Sequence, residues 1–201
     1  MSTVTESHSA SAQESFPSQL YRLSVEQYET LVASGAFGRD DRLHLVDGLL
    51  VAKMTPNNPR CTADDLCAEA LARVLPAGWY VRASKPIRLP DQMSKPEPDR
   101  CVVRGVIRDY RERSPGAPDI ALVIEIADSS LAEDRKLARL YGGGGIPAYW
   151  IINLVDRQVE VYTEPYSSGY HSRRDFGPGQ SVPVIVDQAE VGQIAVENVL
   201  P

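Results

Sequence analysis

Two stretches decide the fold: Pro98-Asp99-Arg100-Cys101-Val102-Val103 and Leu122-Val123-Ile124-Glu125-Ile126. Both read as strands. The second lies inside a near-continuous aliphatic run over residues 120–127, which implies burial on both faces of a sheet. One carboxylate interrupts it, and a carboxylate in a buried strand is costly unless something compensates it. Asp99 opens the first strand just after a proline, which cannot donate to a sheet ladder. If the two strands are neighbours, their carboxylates converge on one point. Then either one takes up a proton or a divalent cation sits between them. Behind Glu125 come Asp128-Ser129-Ser130 and a helical stretch carrying Asp134, Arg135 and Lys136. Acid, acid, then a basic residue is the order a metal-dependent phosphodiesterase requires.

Working outward, Ser24 is an N-cap with Gln27 at the capping-box position, which predicts a helix over about 24–34. Asp47-Gly48 between two apolar runs predicts a hairpin over residues 43–54. Residues 55–60 read as a Pro/Asn loop, and Thr62 as the cap of a helix reaching about Leu75, with Leu66, Ala70 and Val74 on one side. Strands are expected at 79–82 and 86–89, loops at 91–98 and 109–118, and a helix over 131–141 that the glycines at 142–145 end. Residues 148–154 and 158–162 form a second hairpin, 166–178 a polar excursion, and 182–186 a late strand. Residues 188–199 supply a short closing element. Strands interleaved with helices in this way give an α/β domain around a mixed sheet.

At 201 residues the chain is long enough for one domain with its own core. Residues 1–17 are Ser, Thr, Ala, Glu and Gln-rich and are expected to be a disordered tail, leaving one domain over 18–201. With 43% hydrophobic and 24% charged residues the composition is that of a globular protein. A net charge of -6 argues against a protein permanently bound to nucleic acid, yet allows an enzyme with a local basic groove. Cys61, Cys67 and Cys101 are odd in number and lack CxxC spacing, so neither a disulfide framework nor a zinc site is expected. That favours a reducing, cytoplasmic setting, and the absence of a long apolar run excludes a membrane partner.

The stretch from Glu125 to Leu154 reads EIADSSLAEDRKLARLYGGGGIPAYWIINL. Together with PDRCVV upstream and LVDGLLV near the start, it resembles the Uma-two family of restriction-endonuclease-like proteins, within the PD-(D/E)XK nuclease superfamily. The resemblance covers about residues 20–165. It implies a restriction-endonuclease-like α/β core: a mixed central sheet flanked by helices, with an N-terminal helix and hairpin. It also implies Asp99 and Glu125 as ligands of Mg2+ or Mn2+, nucleic acid (DNA first) as substrate, and endonuclease activity. The usual lysine two residues after the glutamate is replaced by Ala127, and the family's substitute on the next helix falls to Lys136, read as the catalytic cation that orients the attacking water and stabilises charge on the phosphate. Departures from the pattern are His44 for a glutamate, Cys61 for a histidine, and a spacing of two rather than four between Asp134 and Lys136.

Each site residue has a plainer reading. Asp99 is also a strand-initiating cap, and Glu125 a buried acid paired to an arginine. Lys136 is also a solvated helix lysine, with Arg139 three residues on as a substitute. Asp134 reads best as an acid favoured by the first turn of a helix. Tyr149 and Trp150 read as core, and His44 as a partly buried residue near the site. Beside the nuclease stand two rivals: a catalytically inactive nuclease-fold protein acting as a binding or assembly module, and a small-molecule phosphohydrolase. Strand edges over 148–162 and in the first hairpin point to a homodimer.

Overall fold

The computed structural model describes residues 20–38 and 41–201; the expected tail at 1–17 lies outside them. In chain order the elements are α1 (Val25–Ala33), β1 (Leu43–Val46), β2 (Leu49–Ala52), α2 (Asn58–Val74), β3 (Trp79–Ala83), β4 (Arg100–Arg104), β5 (Ile120–Ala127), α3 (Leu131–Gly143), β6 (Ala148–Asn153), β7 (Gln158–Tyr166), β8 (Gly169–Phe176), β9 (Ser181–Val186) and β10 (Ala189–Ala195). Strands β3 to β8 form one mixed sheet of six in sequence order. Every neighbouring pair is antiparallel except β5 and β6, which run parallel because α3 carries the chain back across the sheet. The architecture is therefore the expected one, a mixed central sheet flanked by helices with an N-terminal helix and hairpin.

β5 is buried along its whole length, and its side chains divide by parity. Leu122, Ile124 and Ile126 join Val102, Trp150 and Ile152 under α2 and the β9–β10 hairpin. Val123 and Ala127 join Cys101, Val103, Tyr149 and Ile151 under α3. Tyr149 and Trp150 are core, as expected. No helix among the described residues is long and apolar enough to cross a membrane.

Several local expectations are met. Ser24 and Gln27 form the capping box of α1, and Asp47-Gly48 turns the β1–β2 hairpin. Others need correction. α2 starts at Asn58, not Thr62: the Asn57 side chain accepts from Arg60 N at 3.1 Å, and Pro59 sits in the first turn, where its missing N–H costs nothing. Thr62 is inside the helix, and the buried face is Ala63, Cys67, Ala70 and Leu71. Residues 86–89 form only the isolated bridges Arg88 to Gly116 and Leu89 to Ser94, since a proline stands at either end of the segment. The segment 166–178, read as a polar excursion, holds β8, which pairs with β7 at the rim of the sheet. The glycine run stops α3 late: the helix includes Gly142 and Gly143, and the chain leaves it at Gly145 with φ +80. A Cβ on Gly142 would lie 2.0 Å from the Gly169 carbonyl oxygen, so α3 meets the β7–β8 turn backbone to backbone.

Candidate active site

Register builds the centre of the site. β4 and β5 are antiparallel with Arg100 opposite Ile124, which puts Asp99 and Glu125 at the next position on the face under α3. Both are buried. The Asp99 N–H donates to Glu125 Oε2 at 3.2 Å, and the Ile126 N–H donates to Asp99 Oδ2 at 2.9 Å. The Tyr141 hydroxyl donates to Glu125 Oε1 at 2.8 Å. Burial pushes the Glu125 carboxyl well above the usual carboxylate range, and the charges of Asp99 and Asp134 push it further; Lys53 and the Tyr141 hydrogen bond pull the other way.

Two cations that the sequence reading did not single out stand against Asp99. Arg60 Nη2 donates to Asp99 Oδ2 at 2.7 Å, and Lys53 Nζ lies 3.7 Å from Asp99 Oδ1. Both cations are largely buried. Burial disfavours the charged form of Arg60, yet Asp99, with the charges of Glu125 and Asp134, offsets this and holds the guanidinium above its ordinary value. Arg60 is delivered by the first turn of α2, which the Asn57 amide ties to Asp128 beyond the end of β5 at 2.7 Å. Glu125 opens on a cavity of about 700 Å³. Asp99 opens on a neighbouring one of about 60 Å³, and Lys53, Met54 and Arg60 line both.

α3 adds a third carboxylate. Asp134, Leu137 and Tyr141 recur at i, i+3 and i+7, and this face turns inward. Asp134 is buried and accepts from the Ser130 hydroxyl at 2.7 Å. Burial pushes its carboxyl up to about 6, against the pull of Ser130 and Arg60. Asp134 therefore belongs to the site, a stronger role than the helix-dipole reading gave it. Its neighbour Arg135 pairs with Glu160 on β7 instead. Lys136 falls off the inward face and is exposed at the rim of the larger cavity. Arg139 is also exposed and pairs with Asp47 at 3.3 Å. His44 lines the cavity and accepts from the Glu97 N–H at 3.3 Å. Burial, with Lys53 beside it, drives its imidazole down to about 4, so it is neutral at pH 7. Cys61 is exposed on the smaller cavity.

Two buried acids thus meet across adjacent strands, with a third on the helix that follows β5 lining the same cavity as Glu125. The family model described as "Putative restriction endonuclease" matches residues 25–192. The chain belongs to the Uma2 family. Among solved structures, a protein of Anabaena variabilis titled "a putative nuclease belonging to DUF820" superposes with a TM-score of 0.69 at 16% identity, covering 88% of this chain and 97% of that one. That likeness shows a shared fold. Among curated proteins, no sequence matches the chain. Family and fold are thus restriction-endonuclease-like, and the Uma2 match spans every acid and base described above.

The donor set suits a hard cation. Asp99 and Glu125 offer only oxygen, and Mg2+ in particular is held by one or two carboxylates while keeping several waters. Among the described residues no group of three or more His, Cys, Asp or Glu converges as a metal cluster. Two carboxylates with water and substrate oxygens completing the shell is the arrangement that fits. Glu125 supplies a further sign of fit: among the described residues no arginine or lysine is hydrogen-bonded to this buried acid, so positive charge placed nearby would lower its free energy.

Proposed function

We propose that this chain is a metal-dependent endonuclease that hydrolyses phosphodiester bonds of nucleic acid, DNA first among them. The observation that carries the reading is the placement of Asp99 and Glu125 side by side across β4 and β5, with Glu125 facing a cavity of about 700 Å³. Asp99 and Glu125 would hold Mg2+ or Mn2+. A bound ion of this kind polarises the phosphoryl oxygen and lowers the pKa of the attacking water. Tyr141 and the Asp99 N–H fix the Glu125 carboxylate, while Arg60 and the Ile126 N–H fix that of Asp99. Neither carboxylate must therefore be ordered at the moment of reaction. Lys136, exposed at the rim of this cavity, would meet the negative backbone of an entering strand.

A homodimer suits cleavage of both strands of a duplex. The edge expected over 148–162 is covered, since β8 pairs with β7, and β1 of the first hairpin is bridged at Leu45 by Lys95; among the described residues β3 and β8 are the outer strands of the sheet. Sedimentation that shows only monomer at micromolar concentration would remove the dimer from the proposal.

The test of the reaction is an assay of wild type and Glu125→Gln on duplex DNA, single-stranded DNA and RNA, with Mg2+ or Mn2+ and with chelator. A generic phosphodiester serves as the small-molecule control. The expected result is metal-dependent cleavage of a nucleic acid that Glu125→Gln reduces by at least ~100-fold, the scale on which one pre-placed electrostatic group counts. Cleavage that survives chelator or Glu125→Gln unchanged would sink the reading. Binding without cleavage would favour the inactive module.

A further inference from the structure

Lys53 and Arg60 are the two largely buried basic side chains beside Asp99, and the Lys53 ammonium does not commit all of its donors. Lys53 follows β2, and its backbone N–H donates to the Arg42 carbonyl at 2.7 Å. Its Nζ donates to the Glu97 carbonyl at 2.8 Å and stands 3.7 Å from Asp99 Oδ1, with the side chain 15% exposed. A lysine stem is flexible, and holding it in one place costs rotamer entropy. Here the Glu97 carbonyl holds the ammonium at a spot where it lines both the larger cavity and the smaller one beside Asp99. An ammonium carries three donors, so one bond to Glu97 leaves others to offer. Arg60 differs. Its nearest nitrogen is committed to Asp99 Oδ2 at 2.7 Å, on the oxygen that also accepts from Ile126. Lys136 differs again, being exposed at the rim.

We propose that Lys53 is the phosphate-contacting cation of the site. Its ammonium, anchored by the Glu97 carbonyl beside Asp99, donates to a non-bridging oxygen of the scissile phosphate, while Lys136 serves the strand at the rim. The inference rests on the phosphodiesterase reading above. In the reaction the oxygen of water bonds to phosphorus and the bond from phosphorus to one sugar oxygen breaks. One proton of the water ends on the released hydroxyl and the other on the new phosphomonoester. Lys53 keeps its proton throughout and stabilises the charge that gathers on the non-bridging oxygens.

The experiment compares wild type with Lys53→Met, Lys53→Gln, Lys53→Arg and Lys136→Met in three readouts: the Mn2+ concentration at half-maximal thermal stabilisation, binding of a fluorescent DNA duplex in Ca2+, and single-turnover hydrolysis in Mn2+. Removing a positive charge near a ligand oxygen should make Mn2+ bind more tightly. The midpoint for Lys53→Met should fall at least about fivefold, the effect of one unit charge at roughly 4 Å even with the screening of bulk water. Hydrolysis should fall ~100- to 1,000-fold in the same protein, with partial recovery in Lys53→Arg. Lys136→Met should leave the midpoint in place and weaken duplex binding by a few-fold. A strut with a structural role only would lose metal stabilisation and hydrolysis together, and that outcome overturns the proposal, as does wild-type hydrolysis in Lys53→Met. Lys53→Gln keeps a donor and answers the question if Lys53→Met does not fold. If wild type cleaves no nucleic acid, the endonuclease reading fails on its own. Lys53 is then judged by duplex binding in Ca2+, where wild-type affinity in Lys53→Met overturns the inference.

Discussion

Glu125 and Glu160 sit in one row of the sheet. Glu125 on β5 is opposite Ile151 on β6, which is opposite Glu160 on β7, so the two acids share a face under α3. Both are buried, yet their surroundings differ. Glu160 accepts from Arg135 Nη2 at 2.6 Å, the Tyr162 hydroxyl at 2.8 Å and Asn153 Nδ2 at 2.8 Å, with Arg173 Nη2 at 3.2 Å. Burial pulls its pKa up, but these donors outweigh it and hold the carboxyl below its ordinary value. Glu125 has one hydroxyl and one amide as donors, and its strongest charged neighbours are other acids. α3 serves both, turning Asp134 to one and Arg135 to the other. Burial alone does not set the state of an acid. One of these is saturated by the fold and the other is left short of positive charge, which marks Glu125 as the functional candidate.

The largest effect that could break this contrast is on stability. Glu160→Ala strands two arginines, and urea unfolding should show a loss toward the lower end of ~3–5 kcal/mol, because both arginines still reach water. Glu125→Gln without metal should hold or raise stability, since it removes repulsion. Equal losses in the two proteins would erase the distinction. Next comes the response to metal. Mn2+ at a hundredfold excess over its dissociation constant should stabilise wild type and Glu160→Gln by about 2.7 kcal/mol and Glu125→Gln by nothing. Identical melting shifts in all three would mean that Glu125 is no ligand.

Acidity sharpens the contrast further. An acid raised from 3.8 to about 6, as Asp134 is, is protonated in the folded state where the unfolded chain has already ionised. It contributes stability below about pH 4 that is lost as pH rises through about 6, a change on the order of 3 kcal/mol at ~1.4 kcal/mol per pKa unit. Glu160, held below its ordinary value, has the opposite sign, and its stability goes as pH falls through the acid range. Urea midpoints from pH 4 to 8 should therefore fall in wild type and fall less steeply in Asp134→Asn, where Glu125 remains as a raised acid. A flat wild-type profile would contradict the shift given to Asp134. The smallest expected effect is at Lys136. Its replacement by Ala should change stability by no more than about 0.5 kcal/mol, as exposed substitutions do, and a larger loss would place it deeper than the rim.

What the sequence disclosed follows from how local each signal is. Ser24 with Gln27, Asp47-Gly48 and the aliphatic run of β5 are short-range patterns, and each is found where it was read. The adjacency of Asp99 and Glu125 followed from the cost of burying one acid alone. β8 was missed because an outer strand with one wet face carries Arg173, Arg174 and Asp175, which look like loop residues. The start of α2 was missed because Asn and Pro read as a loop, although both favour a helix's first turn. Lys53 and Arg60 gave no sign at all. Their partner Asp99 lies 46 and 39 residues away, and only the packing of the hairpin and α2 against β4 brings them together.

The backbone contact between Gly142 and Gly169 has a bearing on how the chain can vary. A methyl group at 142 has no room beside the Gly169 carbonyl, whereas Gly145 leaves open space and asks only for a left-handed turn. In a saturation library the first position should accept one amino acid and the second should admit asparagine at modest cost. Four consecutive identical letters thus conceal unequal tolerance. The intolerant one lies next to Tyr141, whose hydroxyl holds Glu125, so an evolutionary change in the length or bulk of the β7–β8 turn would be felt first at that tyrosine.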